Sequence, residues 1–483
     1  MSHWHFIAIG GHGMSVLAEI ALELGHRVTG SDQVEGEEVV RLRERGAHVD
    51  IGHDADQVVG ADVVVVSTAI PPTNVEVVRA GELGIEVLHR SEAMTRLTAG
   101  RPFYAVAGTH GKTTTSAMLA VALEGAGADP GAAIGGTVTS WSAGSRVGTG
   151  PFVAEADESD GSFLRYTPRV AIVTNVEEDH LAHYSGLAEI LDAFESFAHR
   201  LTADGVLVAC SDDAGSLEIA RRAHGAGLRV RTYGQRPPVL PDGAILAVEH
   251  LQLDDVSLTG TDASATLTLR GSDGEPRLAP FALRVPAPGL HTVLDAAASW
   301  AAAIEATGLD GAAAVADALE GFTGAGRRFE TVGTADDVRV VDDYAHNPTK
   351  VAAALAAGRL AVGDGRVVAL FQPALFTRTR DFAEEFAEAL DAADAVVVCD
   401  VFGSREDPID GVTSGLITQA EPDSRAERGA MPFQLVPDRL EAARRTAALA
   451  GPGDLVMTIG SGDVTLLAPV VLEHLRARAA EQA

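Results

Sequence analysis

The chain has 483 residues, of which 46% are hydrophobic and 22% charged, the balance of an ordinary globular protein. At about 150 residues per domain, this length predicts roughly three domains. The formal net charge of −31 repels phosphate backbones and anionic lipids, so we expect neither nucleic acid nor a membrane surface as a partner.

Cysteine and lysine usage narrows the class of protein further. The two cysteines, Cys210 and Cys399, exclude a disulfide framework and a cysteine-based zinc site. No apolar run approaches the roughly 20 residues that cross a bilayer, and no basic patch precedes an apolar stretch near the start, so we expect a cytoplasmic protein without a signal peptide. Lysine occurs only at Lys112 and Lys350, so a lysine inside a phosphate-binding loop is expected to be needed there.

The N-terminal residues predict a parallel α/β sheet. A buried strand is predicted at 4–9, followed by a helix from about Met14 to a stop at Gly25. Further strands are predicted at 27–30 and 62–67, where near-continuous valine indicates a sheet covered on both faces.

A glycine cluster lies between the first predicted strand and the first helix. Gly10, Gly11 and Gly13 resemble a dinucleotide-binding turn, with Ala8 in place of the first glycine and Asp32 where a ribose-binding acid would lie. The same geometry serves any diphosphate, including that of a UDP-sugar. A purely structural tight turn is the alternative interpretation.

The strongest motif opens a second unit, after a strand predicted at 103–107 and before a helix through Met118 and Leu123. The motif is the loop Gly108-Thr109-His110-Gly111-Lys112-Thr113-Thr114. Backbone N–H groups of such a loop bind phosphates together with the helix N-terminus. Lys112 is expected to neutralise the β- and γ-phosphates of a nucleotide, and Thr113 to hold Mg²⁺. The loop is shorter than the usual pattern, and a structural glycine turn is the alternative.

Two polar segments are expected to complete a nucleotide site. The acidic run EADESD at 155–160 follows a short apolar strand and can supply oxygen ligands for Mg²⁺, although a lone acidic run is usually a solvated loop. Asn175 and His180 follow a strand predicted at 170–174, at the edge where active residues of such sheets usually lie. His180 alone would be interpreted as structural, but with its neighbours it is interpreted as a ligand or catalyst.

Later segments predict a mixed region and then a third unit. A strand is predicted at 206–210, a proline-rich loop at 236–242, and short antiparallel strands between 244 and 285. A third unit begins near Phe329, and another parallel α/β layout is predicted by strands at 338–341, 367–371, 395–399 and 455–459.

Polar residues follow two strands of this third unit. Asp343 and His346 stand where the strand at 338–341 ends. Arg378 and Arg380 come after the strand at 367–371, and a pair of arginines beside a sheet's carboxyl edge suits a carboxylate or a phosphate.

Taken together, these strings resemble the Mur ligase family over essentially the whole chain, and several are typical of its alanine-adding branch. The strings are IGGHGMS at 9–15, GSD at 30–32, GTHGKTT at 108–114, AEADESDGS at 154–162, VTNVEEDH at 173–180, RRFE at 327–330, DDYAH at 342–346, and FQP with TRTRDF within 371–382. The family implies an α/β fold of three domains: a Rossmann-like UDP-sugar domain at 1–97, a central P-loop ATPase domain with a parallel sheet and a small antiparallel part at 98–327, and a Rossmann-like amino-acid domain at 328–483.

The resemblance also implies an ATP-dependent ligase that forms an amide bond. The carboxylate of UDP-N-acetylmuramate would attack the γ-phosphate of ATP to give an acyl phosphate and ADP, and the amine of L-alanine would then displace phosphate. We therefore expect small-molecule substrates, ATP and Mg²⁺, in a monomer or homodimer that serves peptidoglycan synthesis.

Roles of individual residues follow from the same resemblance. Catalysis is assigned to Lys112, Glu155 and His180, and the magnesium ligands are Thr113, Glu155 and His180. The nucleotide-binding residues are Gly108, Thr109, His110, Gly111, Lys112, Thr113, Thr114, Asp295, Arg328 and Asp343. The substrate-binding residues are Gly10, Gly11, Gly13, Met14, Ser15, Asp32, Asn175, His346, Arg378 and Arg380.

Several positions depart from the family's pattern, most of them where the amino acid would bind. They are Ala182, Asp295, Asn347, Lys350, Ala374 and Ser461. Asp295 stands where the family has an asparagine associated with adenine. A carboxylate only accepts hydrogen bonds, so the substitution is expected to lose the contact to the ring acceptor of adenine.

These departures leave two enzymatic hypotheses open. One is the ligase that adds L-alanine to UDP-N-acetylmuramate, and the other is a paralogue with the same ATP chemistry on a different amine or nucleotide-sugar acid. A nonenzymatic nucleotide-binding scaffold is opposed by the intact set of Lys112, Thr113, Glu155 and His180. A nicotinamide dehydrogenase is opposed by Lys112, because hydride transfer has no use for a phosphate-binding lysine.

Overall fold

The computed structural model describes residues 1–178, 184–403 and 406–482. Over these residues the strands form three sheets, of five, ten and six strands, which confirms the predicted α/β class. The chain divides into two compact units, one formed by Met1–Asp255, Ala265–Leu283 and Leu294–Thr323, the other by Val256–Ser264, Arg284–Val293 and Gly324–Ala483. The described helices include none with both the length and the apolar character that a membrane span requires.

The first sheet is parallel, in the order β3-β2-β1-β4-β5. Its strands are β1 (His3–Ile7), β2 (Arg27–Asp32), β3 (His48–Ile51), β4 (Val63–Val66) and β5 (Glu86–His89). Its helices are α1 (His12–Glu23), α2 (Glu37–Glu44), α3 (Val75–Leu83) and α4 (Arg90–Leu97). Val63 and Val65 belong to one apolar cluster and Val64 to another, because alternate residues of a strand point to opposite faces. Both faces are covered, as the valine content predicts.

The second sheet runs β15-β14-β13-β12-β11-β10-β6-β9-β7-β8. Its strands are β6 (Phe103–Ala107), β7 (Gly131–Val138), β8 (Ala143–Arg146), β9 (Phe152–Glu155), β10 (Val170–Val173), β11 (Val206–Cys210), β12 (Val230–Gly234), β13 (Glu249–Leu258), β14 (Ala263–Arg270) and β15 (Phe281–Val285). Its helices are α5 (Lys112–Gly125), α6 (Leu187–Ala198), α7 (Ala214–Gly225), α8 (Leu290–Thr307) and α9 (Ala312–Glu320). β13 pairs in parallel with β12, so the later strands extend this sheet.

The third sheet runs β16-β17-β21-β18-β19-β20. Its strands are β16 (Glu330–Ala335), β17 (Val338–Asp343), β18 (Val367–Phe371), β19 (Ala395–Val398), β20 (Gln434–Leu435) and β21 (Leu455–Ile459). Its helices are α10 (Pro348–Val362), α11 (Phe376–Asp381), α12 (Ala383–Leu390), α13 (Gly415–Gln419), α14 (Asp423–Glu427), α15 (Arg439–Leu449) and α16 (Leu467–Gln482).

The observed strand boundaries match the predicted ones in four strands and differ by one or two residues at one or both ends in the others. The strands at 103–107, 206–210, 367–371 and 455–459 match to the residue. β1 ends at Ile7 because Ala8 turns the chain with φ 57°, and α1 begins at His12, earlier than predicted. The sequence did not predict β16, whose hairpin with β17 is closed by Asp336 and Asp337, both at positive φ. The domain boundaries near 97 and 327 stay predictions.

Candidate active site

The nucleotide loop lies between β6 and α5, at the carboxyl end of a central parallel strand. Gly111 has φ 83° and immediately precedes α5, which begins at Lys112. Gly108 has φ 138°, and a Cβ there would overlap the hydroxyl of Thr174. Both positions therefore require glycine, which adopts positive φ without steric cost.

The end of β10 holds this loop in place. The Thr174 hydroxyl donates to the carbonyl oxygen of His110 at 2.6 Å. The Asn175 amide accepts from the His110 N–H at 2.8 Å and donates to the His110 carbonyl at 3.2 Å. Asn175, predicted as a substrate ligand, thus contacts the nucleotide loop itself, and Thr174 adds a contact that sequence reasoning missed.

Lys112 is held between the loop and the acidic run. Its ammonium donates to the Gly108 carbonyl at 2.6 Å and to both carboxylate oxygens of Glu158 at 2.9 Å. Burial opposes its charge, but the carboxylates of Glu158 and Asp157 outweigh burial and raise the pKa of Lys112. The lysine is therefore a fixed positive charge at the start of α5. Glu158, whose side chain is 3% exposed, was not singled out from the sequence.

Two predicted magnesium ligands lie next to each other. The Thr113 hydroxyl donates to one oxygen of Glu155 at 3.2 Å, and the other oxygen accepts from the Gly135 N–H at 2.5 Å. A hydroxyl and a carboxylate are oxygen donors of the kind that Mg²⁺ prefers, so this pair fits the ion. His180, the third predicted ligand, and Ala182 lie outside the described residues. Within the described ranges, no three His, Cys, Asp or Glu side chains form a group that could hold a metal.

Asp295, on α8, lies directly behind the loop. It is 6% exposed, and its Oδ1 is 2.8 Å from the position that a Cβ on Gly111 would occupy. Burial raises the pKa of Asp295 to about 8, against the opposing effect of the Thr115 hydroxyl. A protonated carboxyl donates as well as accepts. Near neutral pH, a protonated Asp295 therefore keeps a hydrogen-bond donor, whereas the sequence led us to expect that this donor is lost.

The glycine turn after β1 is tied to β2. The Gly10 N–H donates to Oδ2 of Asp32 at 2.8 Å, so this acid, predicted to bind substrate, supports the backbone of the turn. Gly11 precedes α1, and Gly13 lies in its first turn. Met14 and Ser15 are buried within the same turn.

In the unit that contains the third sheet, Asp343 supports a strained turn. Its two oxygens accept from the N–H groups of Phe329 at 2.9 Å and Ala345 at 2.8 Å. Arg327 and Phe329 flank Arg328 at φ 58° and 48°. Asp343 was predicted to contact the nucleoside, and the described contacts show it anchoring the turn that carries Arg328.

His346 and the two predicted arginines lie in different surroundings. Burial lowers the pKa of His346 well below its usual value, and the nearby cations Lys350, Arg378 and Arg328 lower it further. Arg380 instead pairs with Asp381 at 2.7 Å and is half exposed. Helical residues two apart do not face each other, which separates Arg378 from Arg380 on α11.

Family models match most of the chain in three segments. Residues 3–102 match the Mur ligase family catalytic domain, 106–303 the Mur ligase middle domain, and 327–462 the Mur ligase glutamate ligase domain. The chain belongs to the Mur ligase family.

Individual relatives carry a more specific name. The chain is 50% identical to UDP-N-acetylmuramate–L-alanine ligase of Kineococcus radiotolerans, covering 98% of this chain and 96% of that protein. It is 45% identical to the ligase of the same name from Mycobacterium avium, again covering 98% and 96%. A crystal structure of UDP-N-acetylmuramate–alanine ligase from Thermotoga maritima superposes with TM-score 0.77 at 27% identity, covering 99% and 100% of the two chains.

Proposed function

We propose that this chain joins the carboxylate of UDP-N-acetylmuramate to the amine of L-alanine and converts ATP to ADP and phosphate. The observation that carries the proposal is the intact nucleotide loop, with a charged Lys112 at the start of α5, in a chain about half identical to ligases of that name. The relatives compared above give no support to a different amine or sugar acid.

The reaction consists of two displacements. A carboxylate oxygen of the sugar acid forms a bond to the γ-phosphorus of ATP, and ADP leaves. The amine nitrogen then forms a bond to the acyl carbon, phosphate leaves, and the nitrogen loses a proton. Lys112 contributes positive charge where the phosphoryl group moves, and the loop fixes its position before substrates arrive.

Thr113 and Glu155 are the residues that would hold Mg²⁺, with His180 as a predicted third ligand. When bound, the ion would neutralise negative charge on the phosphates. A net charge of −31 makes such local neutralisation necessary, because the protein as a whole repels nucleotides.

For the amino acid, Arg378 is the proposed carboxylate ligand. It lies close enough to His346 to lower its pKa, together with Lys350. An arginine fork matches a carboxylate. The cytoplasmic location and the monomeric or dimeric state stay predictions.

Phosphate release with ATP, Mg²⁺ and UDP-N-acetylmuramate, measured against a panel of amino acids, tests the proposal. We expect preferred turnover with L-alanine and none in a Lys112→Ala variant that retains the wild-type melting temperature. Turnover with another amino acid but not with L-alanine would contradict the proposed substrate while leaving the ligase chemistry in place.

A further inference from the structure

Arg90 is the first residue of α4, at the carboxyl edge of the first sheet. Its Nη1 lies 3.2 Å from the position that a Cβ on Gly13 would occupy, so the guanidinium reaches the glycine turn. Its Nη2 faces the acidic run instead, at 3.4 Å from Asp157 and 3.5 Å from Asp160. The side chain therefore lies between the turn that follows β1 and a loop that follows β9.

The ion pairs that the described residues make with Arg90 use one nitrogen of its guanidinium, so other N–H donors can bind a ligand. A guanidinium has five N–H donors, and both ion pairs that the described residues offer it use Nη2, at the long end of the hydrogen-bond range. The side chain is 29% exposed. The guanidinium is thus positioned by long contacts to two carboxylates and remains partly exposed.

The other arginines of the first sheet are placed elsewhere. Most of them pair with glutamates, as Arg79 does with Glu82 at 2.9 Å and Arg96 with Glu86 at 2.6 Å. Arg27 begins β2 and so lies at the opposite, amino edge. Among the arginines of residues 1–97, Arg90 is the one whose guanidinium is placed against the glycine turn.

We propose that Arg90 binds the diphosphate of the UDP-linked substrate at the glycine turn, with Asp157 and Asp160 holding its guanidinium in position. This inference rests on the proposed function, because it needs a nucleotide diphosphate as substrate. Arginine presents a planar fork that matches phosphate oxygens, and the first-turn N–H groups of α1 supply further donors.

The acidic loop then serves both phosphate sites. Asp157 and Asp160 contact Arg90, while Glu158 between them contacts Lys112. Arg90 and Lys112, the two side chains proposed to bind phosphates, are therefore both held by one short segment of the chain. In a protein with a large negative charge, this arrangement keeps each cation aimed at its ligand before the ligand arrives.

Binding of UDP and of uridine to the full-length protein, measured by calorimetry for UDP and by NMR for uridine, tests the inference. Arg90→Gln should weaken UDP binding by about tenfold to a hundredfold, the range for hydrogen bonds to charged groups, and leave uridine binding unchanged. Arg90→Lys should fall between, since it keeps the charge and loses the fork. Arg96→Gln, on the same helix and with the same change in charge, is the matched control.

The possible outcomes separate the two proposals. Equal UDP affinity in wild type and Arg90→Gln would overturn the inference and leave the proposed function standing. A parallel loss of UDP and uridine binding would also overturn it, because Arg90 would then support the fold only. Failure of the wild-type protein to bind UDP at all would overturn the inference, while phosphate release with UDP-N-acetylmuramate decides the proposed function separately.

Discussion

The ammonium of Lys112 donates to both carboxylate oxygens of Glu158 at 2.9 Å and to the Gly108 carbonyl at 2.6 Å. An ammonium has three donors, and these contacts hold it within the protein. A nucleotide phosphate that binds Lys112 therefore competes with these partners. Glu158 is thus both the group that fixes the lysine and the group that competes with its ligand.

This competition predicts the effect of Glu158→Gln. A neutral amide holds Lys112 less strongly than a carboxylate does, so the KM for ATP should fall by about fivefold, equivalent to ~1 kcal/mol. Steady-state phosphate release at varied ATP concentrations measures this KM. Glu44 is exposed, and Glu44→Gln is the control. An unchanged or higher KM would show that Glu158 does not compete with the nucleotide.

The burial of Asp295 predicts a pH-dependent stability. Its folded pKa is about 8, against about 3.9 in an unfolded chain. Between these values the folded state keeps a proton that the unfolded state releases, so the contribution of this group to stability is full below about pH 4 and is lost as pH rises toward 8.

Asp295→Asn should therefore stabilise the protein, and more so at higher pH. We expect the gain in the free energy of unfolding to increase by on the order of 2 kcal/mol between pH 5 and pH 7. Denaturant titrations at several pH values measure this gain, and the exposed Asp310→Asn should show no such trend. A gain that stays constant with pH would mean that Asp295 is ionised in the folded protein.

The adjacency of Thr113 and Glu155 predicts a change in magnesium requirement. Glu155→Gln replaces an ionised ligand by a neutral one, so half-maximal activity should need about tenfold or more Mg²⁺. Phosphate release titrated with MgCl₂ measures the Mg²⁺ concentration at half-maximal activity, again with Glu44→Gln as control. If Glu155→Gln and Glu44→Gln need the same Mg²⁺ concentration, the ion binds elsewhere.

The different surroundings of Arg378 and Arg380 predict unequal effects. Arg378→Gln should raise the KM for L-alanine about tenfold, the loss expected for a hydrogen bond to a carboxylate. Arg380→Gln should have a smaller effect, because Arg380 is half exposed and paired with its neighbour Asp381. KM values for L-alanine at saturating ATP decide between them, and a larger effect at Arg380 would reverse the assignment.

Local patterns in the sequence predicted much of the fold. Short continuous apolar runs predicted strands such as 103–107 and 367–371 to the residue. The glycine and lysine spacing of 108–114 predicted the nucleotide loop, since its backbone geometry depends on residues within the loop. The turn at Ala8 was missed because alanine, unlike glycine, asparagine or aspartate, gives no sequence signal for a positive φ.

The sequence by itself determined the order of helices and strands, the nucleotide loop and the family, because these depend on periodicity and on residues close in the chain. Only the tertiary structure decided that Glu158 pairs with Lys112, that Arg90 reaches Gly13, and that Asp295 is buried behind Gly111. These contacts join residues that are distant in the chain and that the packing of strands and helices brings together. Burial and long-range charge then set the protonation of Asp295 and Lys112, and neither quantity can be read from a linear sequence.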